Sequence, residues 1–357
     1  MTRAQAQVGP PTGRVSGAVA HAVGASLVPA DWIRRKSLQS LRGWVRPLVR
    51  NRDLRIVVTG MAMLCTSLAG AWLIPLWILA LGPLVLGVPH ILGDLRHLVV
   101  RPGFHRRAGL WLVAGLPILA TGLGADTRFG VLGILGVALV ARASVGRRLA
   151  VGIGALALGL GFHALGDARD LYFAHAHNFI AIGLWWWWRP RRSRLHWWVL
   201  VGFAAICGLI MSDFGWSVLL WTQALVGSAG AMDTSYQLAR LAPGVEFVLA
   251  TKLVILYTFC QSMHYGVWIK LVPDEDRARP TPPPFRRAFW HLWHDLGGVL
   301  MLVALGLCLV LAGWAIFDLM AANHGYFRVV RFHGYLELCA VALFILEGRS
   351  SEKVRAT

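Results

Sequence analysis

The stretch LGVPHILGDLRHLVV, Leu86 to Val100, ends an apolar run that begins at residue 74. A run of about 17 to 25 apolar residues crosses a lipid bilayer as a helix, so this segment predicts a membrane span. It also carries His90, Asp94 and His97. A charged side chain in hydrocarbon costs about 2.5 to 3.5 kcal/mol on insertion scales. These three residues therefore need partners inside a helical bundle, and we treat them as candidate functional residues.

The composition of the whole chain is that of a membrane protein. Of its 357 residues, 57% are hydrophobic, only 15% are charged, and 17 are Trp. The formal net charge is +18, but the arginines lie in short clusters between apolar runs and form no single basic face, which argues against nucleic-acid binding. All five cysteines lie inside apolar runs without a CxxC spacing, so we expect neither a disulfide framework nor a thiolate metal site.

Apolar windows long enough to cross the bilayer recur about ten times along the chain. They fall near 56–73, 74–97, 108–124, 129–143, 148–165, 171–188, 196–212, 247–270, 296–319 and 329–346. Basic residues concentrate in alternate loops between these windows, and the positive-inside rule places those loops and both termini in the cytoplasm. We therefore predict an all-α polytopic membrane bundle of about ten transmembrane helices, in a bacterial inner membrane.

The remaining segments divide the chain into four parts. We predict a disordered basic tail over 1–30, an interfacial amphipathic helix over 31–55, a transmembrane bundle over 56–347 with a Pro-rich cytoplasmic linker over 272–286, and a C-terminal tail over 348–357. The segment 214–245 is predicted to be re-entrant or to lie on the outer surface. A crossing at 215–231 would instead place the basic linker outside, against the charge rule.

Several spans carry ionisable side chains at helical spacing. His90 and Asp94 are four residues apart, as are His333 and Glu337, so each pair shares a helix face. Neutral imidazole is the commonest protein ligand for transition metals, and carboxylates complete iron sites. A bound divalent cation also keeps a buried carboxylate ionised. The predicted metal ligands are His90, Asp94, His97, His175, His177, His264, His333 and Glu337.

This ligand set predicts an integral membrane oxidoreductase with a non-haem iron site and a lipid-soluble substrate. The sequence indicates no particular catalytic residue and no residue that binds an organic cofactor. The expected partners are membrane lipids and a hydrophobic small-molecule substrate, with no nucleic acid and no obligate protein partner.

Depth in the membrane decides which of these ligands can meet. With ten spans, the cytoplasmic side holds His90, Asp94, His97 and His264, and the outer side holds His175, His177, His333 and Glu337. Ligands lie about 2 Å from their metal, so the two groups meet only if helix kinks at Pro83 and Pro89 blur this separation. We predict one buried site near mid-membrane that contains at least three of His90, His175, His177, His264 and His333. If 215–231 crosses, the site instead contains His90, Asp94, His333 and Glu337.

The segment GVPHILGD resembles a motif of a known membrane-enzyme family. Its pattern, Pro-His followed four residues later by Asp, is similar to the PHxxxD signature of the Brp/Blh family of membrane β-carotene dioxygenases, and it covers about eight residues. The resemblance implies a helical bundle with a histidine-ligated non-haem iron that cleaves a long isoprenoid to retinal. It places His90 in the ligand position and Asp94 in the acidic position.

Two other classes of protein also use buried histidines or carboxylates. A haem- or quinone-binding electron-transfer protein would use two histidines on facing helices, such as His177 with His333, as axial haem ligands. A proton-coupled transporter would use ionisable residues as its proton or ion path, here Asp94, Asp213, Glu246, Lys252 and Glu337. Neither class explains why five helices carry histidines, whereas a metal site does.

Overall fold

The computed structural model describes residues 14–188, 193–223, 225, 228–229, 231–276 and 281–348. Nearly all of this part of the chain is helical. The helices are α1 (Arg14–Ser26), α2 (Val28–Ser40), α3 (Arg42–Arg50), α4 (Arg52–Leu73), α5 (Pro75–Asp94), α6 (Ala108–Leu110), α7 (Leu116–Gly122), α8 (Arg128–Val140), α9 (Val145–Leu165), α10 (Arg169–Trp188), α11 (Trp197–Met211), α12 (Asp213–Thr222), α13 (Thr234–Leu241), α14 (Phe247–Gly266), α15 (Val272–Glu275), α16 (Phe285–Leu296), α17 (Gly298–Phe317) and α18 (Leu319–Glu347). Strands β1 (Ser228–Ala229) and β2 (Met232–Asp233) form one short antiparallel pair.

Several helices are joined by turns of different pitch. π-helical turns occupy Leu95–Val100, Trp111–Gly115 and Val267–Leu271, and 3₁₀ turns occupy Phe104–Arg106, Gly166–Ala168 and Arg194–His196. The predicted all-α class is confirmed. Within the described residues, seven helical stretches are long and apolar enough to cross a membrane, and two shorter apolar helices cover Ala108–Gly122 and Arg128–Val140. The number of about ten crossings stays a prediction.

The N-terminal region differs from the predicted disordered tail. Residues 14–26 form α1, and residues 1–13 lie outside the described residues. Ala20 of α1 is fully buried against α16, and a Cβ on Gly24 would lie 3.1 Å from Nε1 of Trp290. Small residues therefore let α1 pack closely on α16, a tertiary contact that outweighs the weak helix preference of glycine.

The predicted single interfacial helix over 31–55 is divided into three helices. α2 ends at Ser40, α3 ends at Arg50, and α4 begins at Arg52. The side chain of Asn51 accepts a hydrogen bond from the Leu54 amide at 3.1 Å, which caps α4. The cap starts the first long apolar helix a few residues before its apolar window begins.

The segment over 214–245 folds back at one end of the bundle. α12 has ten residues, a length of about 15 Å, which is too short to cross a hydrocarbon core of about 30 Å. The hairpin of β1 and β2 then packs Ala229 and Met232 on Leu76 and Ala80 of α5. α13 follows at this same end of the bundle, close to where α5 begins.

The first part of the predicted Pro-rich linker is fixed to the bundle. The Arg55 guanidinium forms a two-pronged ion pair with Asp274 of α15, with Nε 2.7 Å from Oδ2 and Nη2 3.2 Å from Oδ1. The indole N–H of Trp185 donates to Glu275 at 3.0 Å. Residues 277–280 and the tail from 349 onward lie outside the described residues.

Prolines in α5 set the contact between α5 and α18. Pro83 has no N–H, so the carbonyl of Leu79 loses its helical donor. The side-chain amide of Asn323 donates instead to Leu79 O at 3.1 Å and to Ala80 O at 3.0 Å. This buried pair of hydrogen bonds fixes α18 beside α5 near one end of both helices.

Candidate metal centre

Four histidines from four different helices meet in the interior of the bundle. We call this group the histidine cluster: His90 of α5, His177 of α10, His264 of α14 and His333 of α18. The ring centroids of His177 lie 4.4 Å from His333 and 4.5 Å from His264. Those of His90 lie 5.0 Å from His333 and 5.2 Å from His264. All four side chains are buried.

Two of the four rings are oriented by backbone carbonyls. Nδ1–H of His90 donates to Leu86 O at 3.2 Å, and Nδ1–H of His333 donates to Val330 O at 2.6 Å. This pattern assigns the lone pair of each neutral ring to Nε2. Metal-binding histidines show this arrangement, in which the second nitrogen donates to a carbonyl or a carboxylate.

His177 lies between a carboxylate and a second imidazole. Its Nδ1 lies 3.3 Å from Oε2 of Glu337, and its Nε2 forms a hydrogen bond of 2.7 Å with Nε2 of His333. Because Nδ1 of His333 donates to a carbonyl, Nε2 of His177 is the donor in this contact when both rings are neutral. A metal cation that replaced this proton would find two imidazole nitrogens already facing each other.

His264 completes the cluster with two available nitrogens. Among the described residues, neither ring nitrogen of His264 has a hydrogen-bond partner, although the ring is buried. Its donor atoms lie within 4.8 Å of those in two sets, one with His90 and His333 and one with His177 and Glu337. Two ligands at 2.0–2.2 Å from one metal are at most about 4.4 Å apart, so small side-chain movements would suffice to close either set around a metal.

Two carboxylates lie next to the histidine cluster. Asp94 is fully buried, and neither of its carboxylate oxygens has a hydrogen-bond partner among the described residues. It interacts electrostatically with Glu337, which also has the indole of Trp268 as a neighbour. Two adjacent buried acids stay ionised only beside a compensating cation, and without one they are neutral. The donor chemistry, imidazole with carboxylate and no thiolate, fits iron, zinc or manganese.

Two predicted ligands lie outside the cluster. His97 is on the π-helical turn after α5, and its Nδ1 is 3.1 Å from Asp276 Oδ2. The wider π turn rotates this residue away from the face of His90. Nε2 of His175 contacts the Leu241 carbonyl at 2.9 Å. His175 points away from the cluster because it is two residues from His177 on α10, and residues two apart on a helix point in different directions.

The expected separation of ligands by depth is not observed. His90 and His264 from the predicted cytoplasmic group lie against His177 and His333 from the outer group. One cause is that α18 begins at Leu319, after the cap residue Asp318, about ten residues before its apolar window. His333 therefore lies near the middle of a 29-residue helix instead of at its end.

Aromatic neighbours of the cluster were not predicted from the sequence. The ring of Tyr265 lies 4.6 Å from that of His90, and Trp268 adjoins Glu337. In sequence such residues look like ordinary core or interfacial aromatics, so no local signal distinguishes them. They close the site on the side of α14.

A cavity of about 430 Å³ opens directly onto the cluster. His177, His264 and His333 line its inner end, and Arg240, Asp170 and Arg331 line its outer end. The site is therefore both buried and accessible, as a catalytic centre requires. No family model, curated protein or solved structure matches this chain, so its function is argued from the site alone.

Proposed function

We propose that the chain is an integral membrane metalloenzyme, a non-haem iron oxidoreductase of the oxygenase, hydroxylase or desaturase type. The proposed ligands are the four members of the histidine cluster, with Glu337 and Asp94 as the associated carboxylates. The observation that carries the proposal is the convergence of buried donor atoms on His264, which lie within 4.8 Å of one another in one set with His90 and His333 and in another with His177 and Glu337.

The protein's own part in this chemistry is positioning and shielding. The Leu86 and Val330 carbonyls hold the imidazoles of His90 and His333 in fixed orientations, and His333 in turn orients His177. Iron would supply the redox chemistry for oxygen activation. The four imidazoles and the adjacent carboxylates would hold it, and the cavity lined by His177, His264 and His333 gives a substrate access to these residues. Burial of the cluster in the bundle excludes bulk water from the reacting atoms.

The location and substrate belong to the same proposal. Arginine-rich loops favour a bacterial inner membrane with both termini in the cytoplasm. A lipid-soluble substrate, in lipid or isoprenoid metabolism, is what the PHxxxD resemblance at His90 and Asp94 implies. The other proposed partners are the membrane lipids that surround the apolar exterior of the bundle.

The two alternative classes fit the geometry less well. The four rings contact one another, which leaves no plane for a porphyrin between His177 and His333. For a transporter, Lys252 pairs with Asp213 at 3.2 Å near a helix end, and Glu246 caps α14. Among the described residues, the buried acid Asp274 is paired with Arg55, and the other two buried acids, Asp94 and Glu337, both adjoin the histidine cluster.

Metal content and the optical spectrum of the purified protein test the proposal. We expect stoichiometric iron, no Soret band, and loss of the metal in His264→Ala. His163→Ala is the matched control, because His163 is exposed and lies outside the cluster. Full metal content in His264→Ala, or a Soret band that His177→Ala abolishes, would contradict the proposal.

A further inference from the structure

The cavity beside the histidine cluster, which we call the Arg240 cavity, has two chemically different ends. Its volume of about 430 Å³ falls in the range of small-molecule sites, about 300–1,000 Å³. The inner end contains the metal ligands, and the walls carry aromatic rings such as Phe173, Tyr257 and Tyr265. The outer end contains charged residues beside α13. This layout fits a ligand with an apolar body and a polar end.

Arg240 is the charged residue of this cavity that lacks an acidic partner. Its guanidinium lies 4.3 Å over the ring of Phe327, and its Nη1 donates to Asn323 Oδ1 at 3.2 Å. Among the described residues no carboxylate pairs with it. A half-buried guanidinium without a counter-ion gains strongly from an anion that offers two oxygens.

The other charges at the outer end compensate one another. Asp170 lies 3.4 Å from Arg331 and 3.8 Å from Arg169, and it accepts a hydrogen bond from Thr127 at 2.8 Å. Asp167 is exposed to solvent, where its charge is screened. Arg240 therefore determines the charge that the cavity prefers in a ligand.

The orientation of Arg240 is built into the fold. Its hydrogen-bond partner Asn323 is fixed by the Leu79 and Ala80 carbonyls of α5, next to the proline kink at Pro83. The guanidinium is thus held in place before any ligand arrives. Such preorganisation lowers the entropic cost of binding.

A second buried polar group lies at the inner end of the cavity. Gln261 lines the cavity with His177 and His264 and is only 4% exposed, yet its Oε1 has no hydrogen-bond partner among the described residues. Its Nε2 reaches the Tyr257 hydroxyl at 3.5 Å. A buried acceptor of this kind requires a donor, which a water molecule beside the apolar chain of a ligand would supply.

We propose that the Arg240 cavity binds a long-chain carboxylic acid, with its carboxylate on Arg240 and its chain directed past Tyr257 toward the histidine cluster. One unpaired guanidinium balances the single charge of a carboxylate better than the double charge of a phosphate monoester. The role of this acid as a substrate rests on the proposed function. Its binding to Arg240 does not depend on the metal.

Binding of matched sixteen-carbon amphiphiles tests the inference in nanodiscs of neutral phosphatidylcholine. The probes are hexadecanoate, 1-hexadecanol, hexadecyl phosphate and hexadecyltrimethylammonium. We expect hexadecanoate to bind most tightly to the unmodified protein. Arg240→Gln should weaken this binding by about 10- to 100-fold, the effect of losing a charged hydrogen-bonding partner, and should leave hexadecanol binding unchanged.

Variants of similar charge provide the controls. Arg240→Lys should retain part of the preference for the acid, and Arg328→Gln should retain all of it, because Arg328 is exposed and lies outside the cavity lining. Equal hexadecanoate affinity in Arg240→Gln and the unmodified protein, with metal content intact, would overturn the inference. The inference would also be overturned if hexadecyl phosphate bound more tightly than hexadecanoate through Arg240, or if the protein preferred hexadecyltrimethylammonium. If the purified protein contains no metal and takes up none, but still binds hexadecanoate through Arg240, the inference is supported and the proposed function is contradicted.

Discussion

Oε2 of Glu337 lies 3.3 Å from Nδ1 of His177. This places a carboxylate directly beside an imidazole of the cluster, and the two groups belong to one set of possible metal ligands with His264. Glu337→Gln keeps the size of the side chain but removes its charge. Because neighbours of this type tune metal affinity, we expect metal binding to weaken about 10- to 100-fold.

A competition titration with a chromogenic chelator measures this affinity. Glu347→Gln is the control on the same helix, since Glu347 pairs with Arg107 at 2.8 Å, away from the cluster. Its metal affinity should equal that of the unmodified protein. An unchanged affinity in Glu337→Gln would show that the contact with His177 has no effect on the metal.

Close packing of α10 on α18 depends on Gly334. A Cβ at this position would lie 2.8 Å from Cε1 of Phe173 and 3.2 Å from Nδ1 of His177. Gly334→Ala should therefore push α10 away, destabilise the protein by about 1–3 kcal/mol and weaken metal binding. Thermal unfolding and metal titration measure the two effects.

Gly306→Ala in α17 is the matched control for this substitution. A Cβ there meets no atom within 4 Å, so the variant should be as stable as the unmodified protein or slightly more stable. Similar losses of stability in both variants would indicate that glycine itself, and not the contact with α10, is responsible.

The ion pair of Arg55 and Asp274 joins α4 to α15 in a buried place, with side-chain exposures of 8% and 2%. Asp274→Asn leaves a buried guanidinium without its anion and should cost about 3–5 kcal/mol. The double variant Arg55→Met with Asp274→Leu should recover most of this loss. Chemical unfolding in detergent compares the three proteins, and a double variant less stable than Asp274→Asn would refute the expectation.

Asp126, in the turn between α7 and α8, gives a prediction for pH. Hydrogen bonds from the side chain and the amide of Arg128 lower the pKa of Asp126 to about 2. A lowered pKa in the folded state means that the stabilisation is complete above the unfolded value of about 3.9 and disappears as the pH falls through about 2. The pair is partly exposed, so its contribution should be about 0.2–1 kcal/mol.

Thermal unfolding of the unmodified protein and of Asp126→Asn, measured from pH 5 to pH 2, checks this effect. The difference between their unfolding temperatures should shrink as the pH falls across this range. A difference that stays constant would show that the charge of Asp126 does not stabilise the turn.

Helix faces could be read from the sequence, but the positions of the helices relative to one another could not. The spacing of four residues puts His90 and Asp94 on one helix face, and likewise His333 and Glu337, since both pairs lie in ordinary α-helix. This spacing rule does not extend to His97, which lies on a π turn with a different helical pitch.

Depth and tertiary contacts lay beyond the sequence pattern for physical reasons. The first turns of α18, capped by Asp318, are polar and therefore lie outside the apolar window that begins near residue 329. The window puts His333 near the start of its helix, whereas the structure puts it near the middle. The choice between His175 and His177 depends on how α10 meets α13 and α18, which only packing decides. α1 was missed because its small residues gain their stability from α16.

The four histidines come from α5, α10, α14 and α18, which lie far apart along the chain. During synthesis the first three of these helices enter the membrane well before α18 emerges from the ribosome. Until then the centre lacks both His333 and Glu337. If the cluster binds a metal as proposed, metal capture is a late step of biogenesis, and it would lock together a bundle whose parts were inserted at different times.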